Sequence, residues 1–527
     1  MARIPGFIGP SYIAASINVE CQRSINLYPD IDQTGFIKDV DPAALRVNPD
    51  YSLVGTPGLI KVCDTPNGQV VRGSYTATDG NWYYVAGNLL YTADSSFVAT
   101  VLGTLNTSTG RVSFSDNGTQ LILVDGPNGY IYNFNTFVFG NITSLNFLGS
   151  SFVMFLDGYF IHVRPNTSVY YISALYDGYT YNALMYNTVT STSSKLNAAI
   201  INQKQLWLFS TQGVELHYDS GAAMFPIEPI SGSFMEHGCA APYTVCKING
   251  LVLWLGQDKS SIAVVWESNG TEPVRVSTSS IERIIQNSTI QPNYVQFSDA
   301  TSTHFTTIDG YNFKVKSSYV TTLSQATAYI YSKNGCDFYV LNLTSGTTLV
   351  YEINTKLWHE RASQAVYAPN GWSATPDSDG LARHRGALFT NVYSQYILTD
   401  YATSAIYAMS DTQYTDNGAP ISRIRVSQHI SSDLKYVFYK SMQLDMETGV
   451  GNITVTNPTA SLQWSNDAGH TFNAPVQAAI GINANYTARV IWRRLGKARD
   501  RVLKVVITDP VKVVLTGLNS NMSGGTV

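Results

Sequence analysis

The feature that most constrains the fold is a recurring pair of short apolar segments separated by a turn, from about residue 60 to about residue 415. Each pair contains two stretches of about five residues around an Asn, Asp or Gly turn, which is the pattern of a β-hairpin. Successive pairs begin roughly 35 to 45 residues apart over much of this region, with longer intervals later. The pairs are Asn81–Ala93, Thr119–Phe134, Gly158–Ser173, Gln203–Tyr218, Ile248–Ser268, Gly335–Ile353 and Ala387–Met409.

A repeat of this length with paired strands is typical of a β-propeller, in which each blade is a four-stranded sheet. One blade cannot bury both of its faces, so blades must stack in a ring to cover each other. The composition agrees, because 12% of the residues are aromatic and 34 are Tyr, and such side chains favour strands. We therefore predict an all-β fold with a β-propeller-like domain over residues 56–415. The repeat has no fixed signature, so a pair of β-sandwiches is the alternative.

The two ends of the chain differ from this repeat. Residues 1–55 contain many Pro and Gly and show little periodicity, which predicts an extended N-terminal arm that is ordered only where it lies on something else. Residues 416–527 contain longer apolar strands at regular spacing, which favours a C-terminal β-sandwich-like domain. We expect an arm, a propeller-like domain and a sandwich-like platform, in that order.

One helix is expected within this β-rich chain, at Ser277–Ile285. Ser279 followed three residues later by Glu282 is a capping box, which is typical of a helix N-terminus. Ile281 and Ile284 or Ile285 would then face the protein interior. We interpret this segment as a short helix inserted into the propeller-like domain.

The absence of known catalytic motifs argues against an enzyme. The sequence contains no G-x-S-x-G nucleophile elbow, no H-E-x-x-H zinc helix and no glycine-rich phosphate loop. Five Cys residues occur at wide spacing without a C-x-x-C pair, so neither a disulfide framework nor a zinc site is indicated. A metal site at His237, Cys239 and Cys246 is the less favoured interpretation of that cluster. We expect no enzymatic activity, no catalytic residue, no cofactor and no bound metal.

Charge and hydropathy argue against two further classes of protein, general nucleic-acid binders and membrane proteins. Charged residues make up only 13% of the chain and the net charge is −4, whereas a general nucleic-acid binder carries a basic footprint. The first residues contain no apolar run of signal-peptide length, and no run is long enough for a transmembrane helix. We therefore expect no signal peptide and no membrane insertion.

Ser465–Phe472 has the sequence SNDAGHTF, which resembles the Asp-box hairpin of sialidase propellers. In such a turn Asp467 accepts hydrogen bonds from nearby backbone amides, and Gly469 permits the tight bend. Ser465 and Phe472 complete the motif, which we interpret as a structural staple. A sialidase would carry several copies and an arginine triad, which the spacing does not indicate. A carbohydrate-binding or sialidase-like propeller that acts in receptor recognition is therefore the alternative function.

Positive charge is concentrated in Arg489–Pro510, near the end of the chain. The segment is strand-like on both sides of Gly496, which predicts a hairpin rather than a helix. We expect its arginines to contact the adjoining domain or a neighbouring subunit, because a planar guanidinium binds carboxylates and carbonyls through several hydrogen bonds. The residues assigned to this assembly surface are Arg493, Arg494, Arg499 and Arg501. A nucleic-acid-binding patch is the alternative.

The alternation within this segment also predicts which side chains share a face. In the first strand Val490 and Trp492 should point to the same side. In the second strand Leu503, Val505 and Ile507 should do so. Arg489, Ile491 and Arg493 should point to the other side of the first strand.

Four segments occur in an order that is similar to a known family. They are VECQRSINLYPDID (Val19–Asp32), GTPGL (Gly55–Leu59), the segment His237–Ile285 with its Gly-Cys, Trp-Leu-Gly and capped helix, and VIWRRLGKARDRVLKVVITDPV (Val490–Val511). Together they resemble the packaged-DNA stabilisation proteins, which are the tail nozzle or hub proteins of short-tailed phages. No segment is specific alone, so the ordered set carries the resemblance.

The resemblance implies a virion structural protein without enzymatic activity. Members of this family form a hexameric ring below the portal and adaptor rings, where the ring closes the channel, retains packaged DNA and conducts it at ejection. The implied partners are further copies of the chain, the head-to-tail adaptor protein, and tail fibres, spikes or a needle. The implied location is the virion tail, after synthesis in the cytoplasm of the host bacterium. Packaged DNA would pass through the lumen without specific binding, which suits the low charge of the chain.

Overall fold

The structure, a computed structural model, describes residues 2–31, 51–257, 263–288, 304–306, 312–314, 323–364, 379–432 and 435–525. Within these ranges the chain consists of β-strands, the helix α1 (Ser279–Asn287) and short 3-10 turns at Pro242–Thr244 and Leu323–Gln325. The all-β fold class predicted from the sequence is confirmed, with a propeller followed by a C-terminal sandwich.

The strands are numbered in chain order, beginning with those that precede the propeller. These are β1 (Ala2–Arg3), β2 (Tyr12–Ile13), β3 (Cys21–Ile25), β4 (Leu27–Ile31) and β5 (Tyr51–Gly55). The next strand, β6 (Gly58–Asp64), belongs to the last blade of the propeller although it lies near the start of the chain.

The propeller continues with five blades that are separate sheets. The first blade contains β7 (Val71–Thr76), β8 (Trp82–Ala86), β9 (Leu89–Ala93) and β10 (Ala99–Thr104), and the second contains β11 (Ser113–Asp116), β12 (Gln120–Val124), β13 (Gly129–Asn133) and β14 (Phe139–Asn141). The third blade contains β15 (Val153–Leu156), β16 (Tyr159–Val163), β17 (Val169–Ala174) and β18 (Asp177–Thr188), and the fourth contains β19 (Leu196–Asn202), β20 (Gln205–Ser210), β21 (Val214–Asp219) and β22 (Ile227–Pro229). The fifth blade contains β23 (Gly238–Cys239), β24 (Cys246–Ile248), β25 (Leu251–Gln257), β26 (Ala263–Ser268) and β27 (Val274–Arg275). Each of these blades is one continuous stretch of sequence, as the repeated hairpins predict.

Two further blades complete the ring. A separate hairpin of β28 (His304–Thr306) and β29 (Asn312–Lys314) precedes them in the chain. The blade named here the shared blade contains β30 (Thr327–Lys333), β31 (Cys336–Asn342), β32 (Thr348–Glu352) and β33 (Leu357–Gln364), and β34 (Leu381–Arg383) pairs with β33. The last blade contains β35 (Gly386–Val392), β36 (Gln395–Asp400), β37 (Ala405–Ser410) and β6, extended by β38 (Thr415–Asp416) and β39 (Ala419–Pro420). Among the described strands, six blades are thus separate sheets, and the shared blade is part of a larger one.

The remaining strands form the C-terminal domain. They are β40 (Arg423–Val426), β41 (Ile430–Ser431), β42 (Val437–Met446), β43 (Thr459–Ser465), β44 (Val476–Ala479), β45 (Val490–Arg493), β46 (Lys497–Ala498), β47 (Asp500–Ile507) and β48 (Val514–Gly524). These strands are divided between two sheets that pack face to face.

The ring is closed by pairing between the two ends of the propeller. β6 pairs antiparallel with β37, where Gly58 lies opposite Ser410. Consecutive blades also share apolar cores, and the last blade contributes Ile397 to the core that contains Trp82 of the first blade. The stacked cores cover the faces of the blades, which is the physical requirement that predicted a propeller. The alternative of two β-sandwiches does not describe this region.

One continuous sheet joins the propeller to the C-terminal domain. Strand β3 lies between β33 of the shared blade and β40 of the C-terminal domain. Ile25 of β3 pairs with Glu360 on one side and with Ile424 on the other. The sheet then continues through β47, β43 and β44 and contains 12 strands in all. Backbone hydrogen bonds therefore run without interruption from one domain into the other, and we name this sheet the shared sheet.

The second sheet of the C-terminal domain has the order β4-β5-β48-β42-β45, with β1 paired to β48 and β46 paired to β42. It packs on β43 and β47 of the shared sheet, and the core between the two sheets contains Met442, Trp492 and Leu503. Leu27 of β4 and Leu53 of β5 are buried in the same core. The sandwich is therefore built from both ends of the chain.

The segment predicted as an extended N-terminal arm lies, in residues 2–31, on its own chain. The guanidinium of Arg425 is fully buried and donates hydrogen bonds to several carbonyl groups of this segment, including those of Phe7 and Gly9. Burial lowers the pKa of Arg425 to about 9, so the group stays charged at neutral pH. The arm is ordered because its strands and carbonyl groups find partners within the same molecule.

The helix α1 occurs where the sequence predicts it, but its cap differs. The sequence places the cap at Ser279, whereas the capping side chain is Thr278, whose hydroxyl accepts a hydrogen bond from a backbone amide of the first turn. The carboxylate of Glu282 does not accept a hydrogen bond from the backbone amide of the cap residue, as it would in a capping box. It is buried and binds the guanidinium of Arg275 at 2.6 Å, because a charge-assisted pair is stronger than a bond to a neutral amide. Ile285 is fully buried, as predicted.

Asn26 lies where the chain leaves the shared sheet after β3 and enters the second sheet. Its φ of 55° is in the left-handed region, which Asn adopts more readily than most residues. The side-chain amide donates to the carbonyl of Ala362 in the shared blade and to that of Ser422 beside β40, at 2.8 and 2.9 Å. Its oxygen accepts a hydrogen bond from the amide of Ala362 at 3.0 Å. One buried side chain thus connects both domains.

Replacing Asn26 by Ala should lower the free energy of unfolding by about 2–4 kcal/mol, because buried backbone groups lose their partners. Asn417→Ala is the matched control, since Asn417 also has a positive φ, 51°, but is exposed. The control should lose only about 1 kcal/mol, the cost of a left-handed Ala. Chemical denaturation measures both, and equal losses would contradict the cross-domain role of Asn26.

Candidate functional site

The basic segment Arg489–Pro510 does not form the predicted hairpin. β45 pairs with β42 in the second sheet, whereas β47 pairs with β40 and β43 in the shared sheet. The chain therefore crosses from one sheet of the sandwich to the other between Arg493 and Asp500. Arg494 and Gly496 have φ values of 62° and 75° in this crossing, which let the backbone turn sharply.

The hairpin prediction was wrong because residues within the expected tip are buried. Leu495 and Ala498 belong to the core between the two sheets, so the crossing closes one end of the sandwich. The predicted strand faces are confirmed. Trp492 points into this core from β45, and Leu503 and Val505 do so from β47.

Arg501 lies in the interior of the C-terminal domain, which corrects its assignment to an assembly surface. It is 1% exposed and donates hydrogen bonds to the side-chain oxygen of Asn466 at 3.0 Å and to the carbonyl of Leu495 at 2.7 Å. Its guanidinium lies 4.1 Å from the ring centroid of Tyr439, which is a cation–π contact. The donors of Arg501 are therefore used within its own domain.

The other three predicted arginines lie at the surface. Arg499 stacks over Tyr436, with 4.7 Å between the guanidinium carbon and the ring centroid. Arg493 and Arg494 are exposed, and within the described part of the chain their side chains have no hydrogen-bond or ion-pair partner. The three exposed arginines and two neighbouring lysines form a group that we name the basic surface. Its members are Lys440, Arg493, Arg494, Lys497 and Arg499. Its role in assembly stays a prediction.

The Asp-box turn connects β43 to β44 in the shared sheet. The carboxylate of Asp467 accepts hydrogen bonds from the backbone amide and the hydroxyl of Thr471, at 2.9 and 2.6 Å. The hydroxyl of Ser465 accepts one from the amide of Gly469 at 2.8 Å. Hydrogen bonds from Ser465 and Thr471 lower the pKa of Asp467. Phe472 packs on the apolar cluster that contains Ile25 of β3. The turn therefore packs beside the strand that joins the two domains.

A histidine that the sequence did not single out holds the N-terminal segment nearby. The Nδ1 atom of His429 lies 2.7 Å from a carboxylate oxygen of Asp500, and its Nε2 atom lies 2.8 Å from the carbonyl oxygen of Ile17. Both partners are acceptors, so both ring nitrogens must carry a proton for the two bonds to form. Partial burial lowers the pKa of His429, but the bonds to Asp500 and Ile17 outweigh burial and raise it above 6.5. His429 and Asp500 are 71 positions apart, so no local pattern signals the pair.

The cysteine and histidine cluster considered from the sequence does not form a metal site. The thiol of Cys239 donates to the carbonyl of Ala241, and burial raises its pKa to about 12, the opposite of an activated thiolate. His237 stacks on Trp266 with 3.9 Å between ring centroids. No group of three or more His, Cys, Asp and Glu among the described residues could hold a metal ion. Likewise, no helix in the described ranges is long and apolar enough to cross a membrane.

Two family profiles match the chain, one on each domain. The profile described as bacteriophage P22 Gp10, beta-propeller, matches residues 46–303, and the profile described as bacteriophage P22 Gp10, beta-sandwich, matches residues 422–523. The chain belongs to the bacteriophage P22 Gp10 family. The resemblance found in four sequence segments is thereby confirmed, and this Gp10-family chain is a structural protein of a phage tail.

The two matches fall on different domains of the Gp10-family chain and leave part of the propeller uncovered. The sandwich match covers β40 to β47 and almost all of β48, while the propeller match begins before β5 and ends at residue 303. The shared blade and the strands β35 to β37 of the last blade lie beyond that match. Strands β1 to β4 also lie outside both matches, although β3 joins the two domains.

Several solved structures are weakly similar to the Gp10-family chain. The WD40 beta propeller domain of Doa1 aligns with a TM-score of 0.37 and 10% identity, over 67% of this chain and 97% of that one. The N-terminal domain of Nup159 aligns with a TM-score of 0.38 and 7% identity, over 68% and 95%. The extracellular domain of a putative one component system from B. thetaiotaomicron aligns with a TM-score of 0.40 and 9% identity, over 80% of this chain and 47% of that one, so this chain spans about half its length. A comparison with curated proteins finds no match.

Arg501→Ala should lower the free energy of unfolding by about 2–4 kcal/mol, because it leaves the buried carbonyl of Leu495 without its donor and removes the stacking on Tyr439. Arg493→Ala is the control, since it removes an exposed side chain from the same segment and should change stability by less than about 0.5 kcal/mol. Chemical denaturation of both variants separates a core arginine from a surface one. A neutral effect of Arg501→Ala would contradict the assignment of this residue to the interior.

The stability that His429 contributes should depend on pH. Its pKa is raised in the folded protein, so the contribution is complete below the pKa of the unfolded chain, about 6.5, and is lost as pH rises through the folded value. The difference in unfolding free energy between the wild type and His429→Gln should therefore be larger at about pH 5.5 than at about pH 9. In an Asp500→Asn background this pH dependence should shrink. A difference that grows with pH would show that the ring is neutral between its two acceptors.

Proposed function

We propose that this chain forms the tail nozzle of a short-tailed phage. In this role identical copies assemble into a hexameric ring below the portal and adaptor rings, where the ring closes the channel, retains packaged DNA and conducts it at ejection. The observation that carries the proposal is the Gp10-family match of both the propeller and the sandwich in one chain. The adaptor protein, and tail fibres, spikes or a needle, are the partners that this position requires.

The connection between the domains supports a role under mechanical load. A nozzle that holds packaged DNA must not let its two domains separate when the DNA presses on one of them. Here β3 is hydrogen-bonded to both domains, and Asn26 and Arg425 add buried polar contacts across the same region. Movement of one domain against the other would have to break several of these bonds together.

The charge of the chain supports the passage of DNA. Each Lys or Arg that contacts a phosphate adds to affinity, so a channel that DNA must slide through should contain few such contacts. Only 13% of the residues are charged and the net charge is −4. This composition suits a lumen that does not bind the DNA specifically.

The position of the chain is tested by a symmetric cryo-EM reconstruction of the virion. The expected result is a ring at the distal side of the adaptor, into which copies of the propeller and sandwich fit. A single copy per particle, or density at a receptor-binding appendage instead, would contradict the proposal.

The retention role is tested with particles that lack this chain. They should package DNA normally and then lose it, which is measured as nuclease-sensitive DNA after purification. Full retention of DNA would contradict the nozzle role, and glycan cleavage that depends on one carboxylate would favour the carbohydrate-active alternative.

A further inference from the structure

A cavity of about 300 Å³ lies between the first and second blades of the propeller. Residues of the β7–β8, β9–β10 and β13–β14 turns contribute to its walls. Three of its rings, Tyr83, Tyr132 and Phe134, have centroids 5.8–6.0 Å apart. The volume is within the range of ligand-binding sites. We name it the acidic–aromatic cavity after the lining residues Asp79, Tyr83, Asp94, Tyr132, Phe134 and Phe137.

The acids of this cavity have only neutral donors. Asp79 accepts a hydrogen bond from the hydroxyl of Tyr83 at 2.7 Å. One oxygen of Asp94 accepts from the backbone amides of Ser96 and Val98, both at 2.9 Å, and within the described residues its other oxygen has no partner. None of the described residues that line the cavity is basic. Carboxylates beside aromatic faces attract a cation through hydrogen bonds and through the ring quadrupoles, so this lining favours a cation over a neutral sugar.

Phe137 is held beside these acids at a conformational cost. Its φ of 57° is uncommon for a bulky residue, and its side chain is 75% exposed. The corresponding turn of the first blade places Phe97 at a φ of 60°, but that ring packs on Trp82 and Tyr393, with centroids 6.1 and 6.2 Å away. The second blade therefore keeps the backbone shape of this turn and leaves the aromatic ring open to a partner.

We propose that the acidic–aromatic cavity receives an arginine of the basic surface, Arg493 or Arg494, from a neighbouring copy of this chain. Both guanidinium groups are exposed and, among the described residues, without a side-chain partner. A guanidinium can bind a carboxylate and stack on an aromatic ring at the same time. Arginines and aromatic rings are also the residues that most often anchor protein interfaces. The inference rests on the proposed cyclic assembly and names the contact that would build it.

The two halves of this contact lie on different domains of the same chain. The cavity belongs to the first two blades, and the basic surface belongs to the sandwich. A contact between unlike surfaces is heterologous, and its repetition gives a ring when the rotation closes. One pair of opposite charges at each contact would also fix the register of a chain with few charges elsewhere.

The test uses variants chosen to preserve the fold. Asp94→Asn keeps an oxygen acceptor for the turn and removes the charge, and Phe137→Gly removes the ring at a φ that Gly adopts freely. Arg493→Gln and Arg494→Gln remove charge from the other half of the contact. Combined changes on either half should weaken self-association of the full chain by at least about tenfold. Sedimentation of the purified chain and its incorporation into tails are the two measurements.

Two matched controls should assemble like the wild type. Arg489 is an exposed arginine of the same segment, but it already donates to the side chain of Gln443 at 3.0 Å, so Arg489→Gln should be neutral. Leu145 is 97% exposed and follows the second blade outside the cavity, so Leu145→Ser tests the loss of an exposed apolar side chain. Thermal unfolding of every variant verifies that the fold is retained.

Combining the variants separates this contact from two independent ones. A chain changed on both halves should assemble no worse than the weaker single-half variant, because both changes remove the same interaction. A mixture of the cavity variant with the basic-surface variant should form dimers but no rings, because each such pair keeps one intact contact.

Four outcomes overturn the inference. They are additive losses in the doubly changed chain, wild-type assembly of either half variant, loss of DNA affinity in the arginine variant with assembly unchanged, and binding of a neutral glycan in the cavity with assembly unchanged. If the wild-type chain itself forms no ring in virions, the proposed function fails, and that result is distinguishable from a ring that forms without this contact.

Discussion

The pairing of β3 between a propeller strand and a sandwich strand is the constraint on which the rest of the structure depends. Polar side chains of both domains form hydrogen bonds with residues of β3. Arg23 donates to both carboxylate oxygens of Glu360 in the shared blade, at 3.1 and 2.7 Å, and Arg425 of the sandwich donates to the hydroxyl of Ser24 at 2.9 Å. Glu360 and Arg425 are both buried. Without β3, Glu360 would lose its guanidinium partner and Arg425 would lose one of its acceptors, and breaking a buried ion pair costs several kcal/mol.

The propeller could be predicted because its information is local. A blade strand pairs with the next one along the chain, so alternation and a turn between two apolar segments, as in Trp82–Ala86 and Leu89–Ala93, suffice to find it. The contacts that join the domains are of another kind. Arg23 and Glu360 are 337 positions apart, and nothing in either segment specifies the other. The sequence therefore predicted strands in the N-terminal segment poorly and described it as an arm, although its strands complete two sheets.

The candidate site shows the same limit at the level of single residues. Arg493 and Arg501 look alike in the sequence, and only the crossing between the two sheets separates an exposed arginine from a buried one. The buried positions of Leu495 and Ala498 decide this crossing, and a small or apolar residue between arginines is compatible with an exposed turn as well. The Asp-box was found because Asp467 binds partners within four residues, whereas His429 depends on a partner far along the chain.

The position of β3 to β5 at one end of the chain and of their partners at the other has a consequence for biosynthesis. Ribosomes release the N-terminus first, but β3 pairs with β40, β5 pairs with β48, and β6 closes the propeller on β37. Neither domain can reach its final form until most of the polypeptide has emerged. During that interval the early strands have unpaired edges, which associate readily with other nascent chains. Distant pairings also slow folding after release. We therefore expect the yield of native subunits to fall as synthesis becomes more crowded, a limit set by chain topology rather than by the stability of the finished protein.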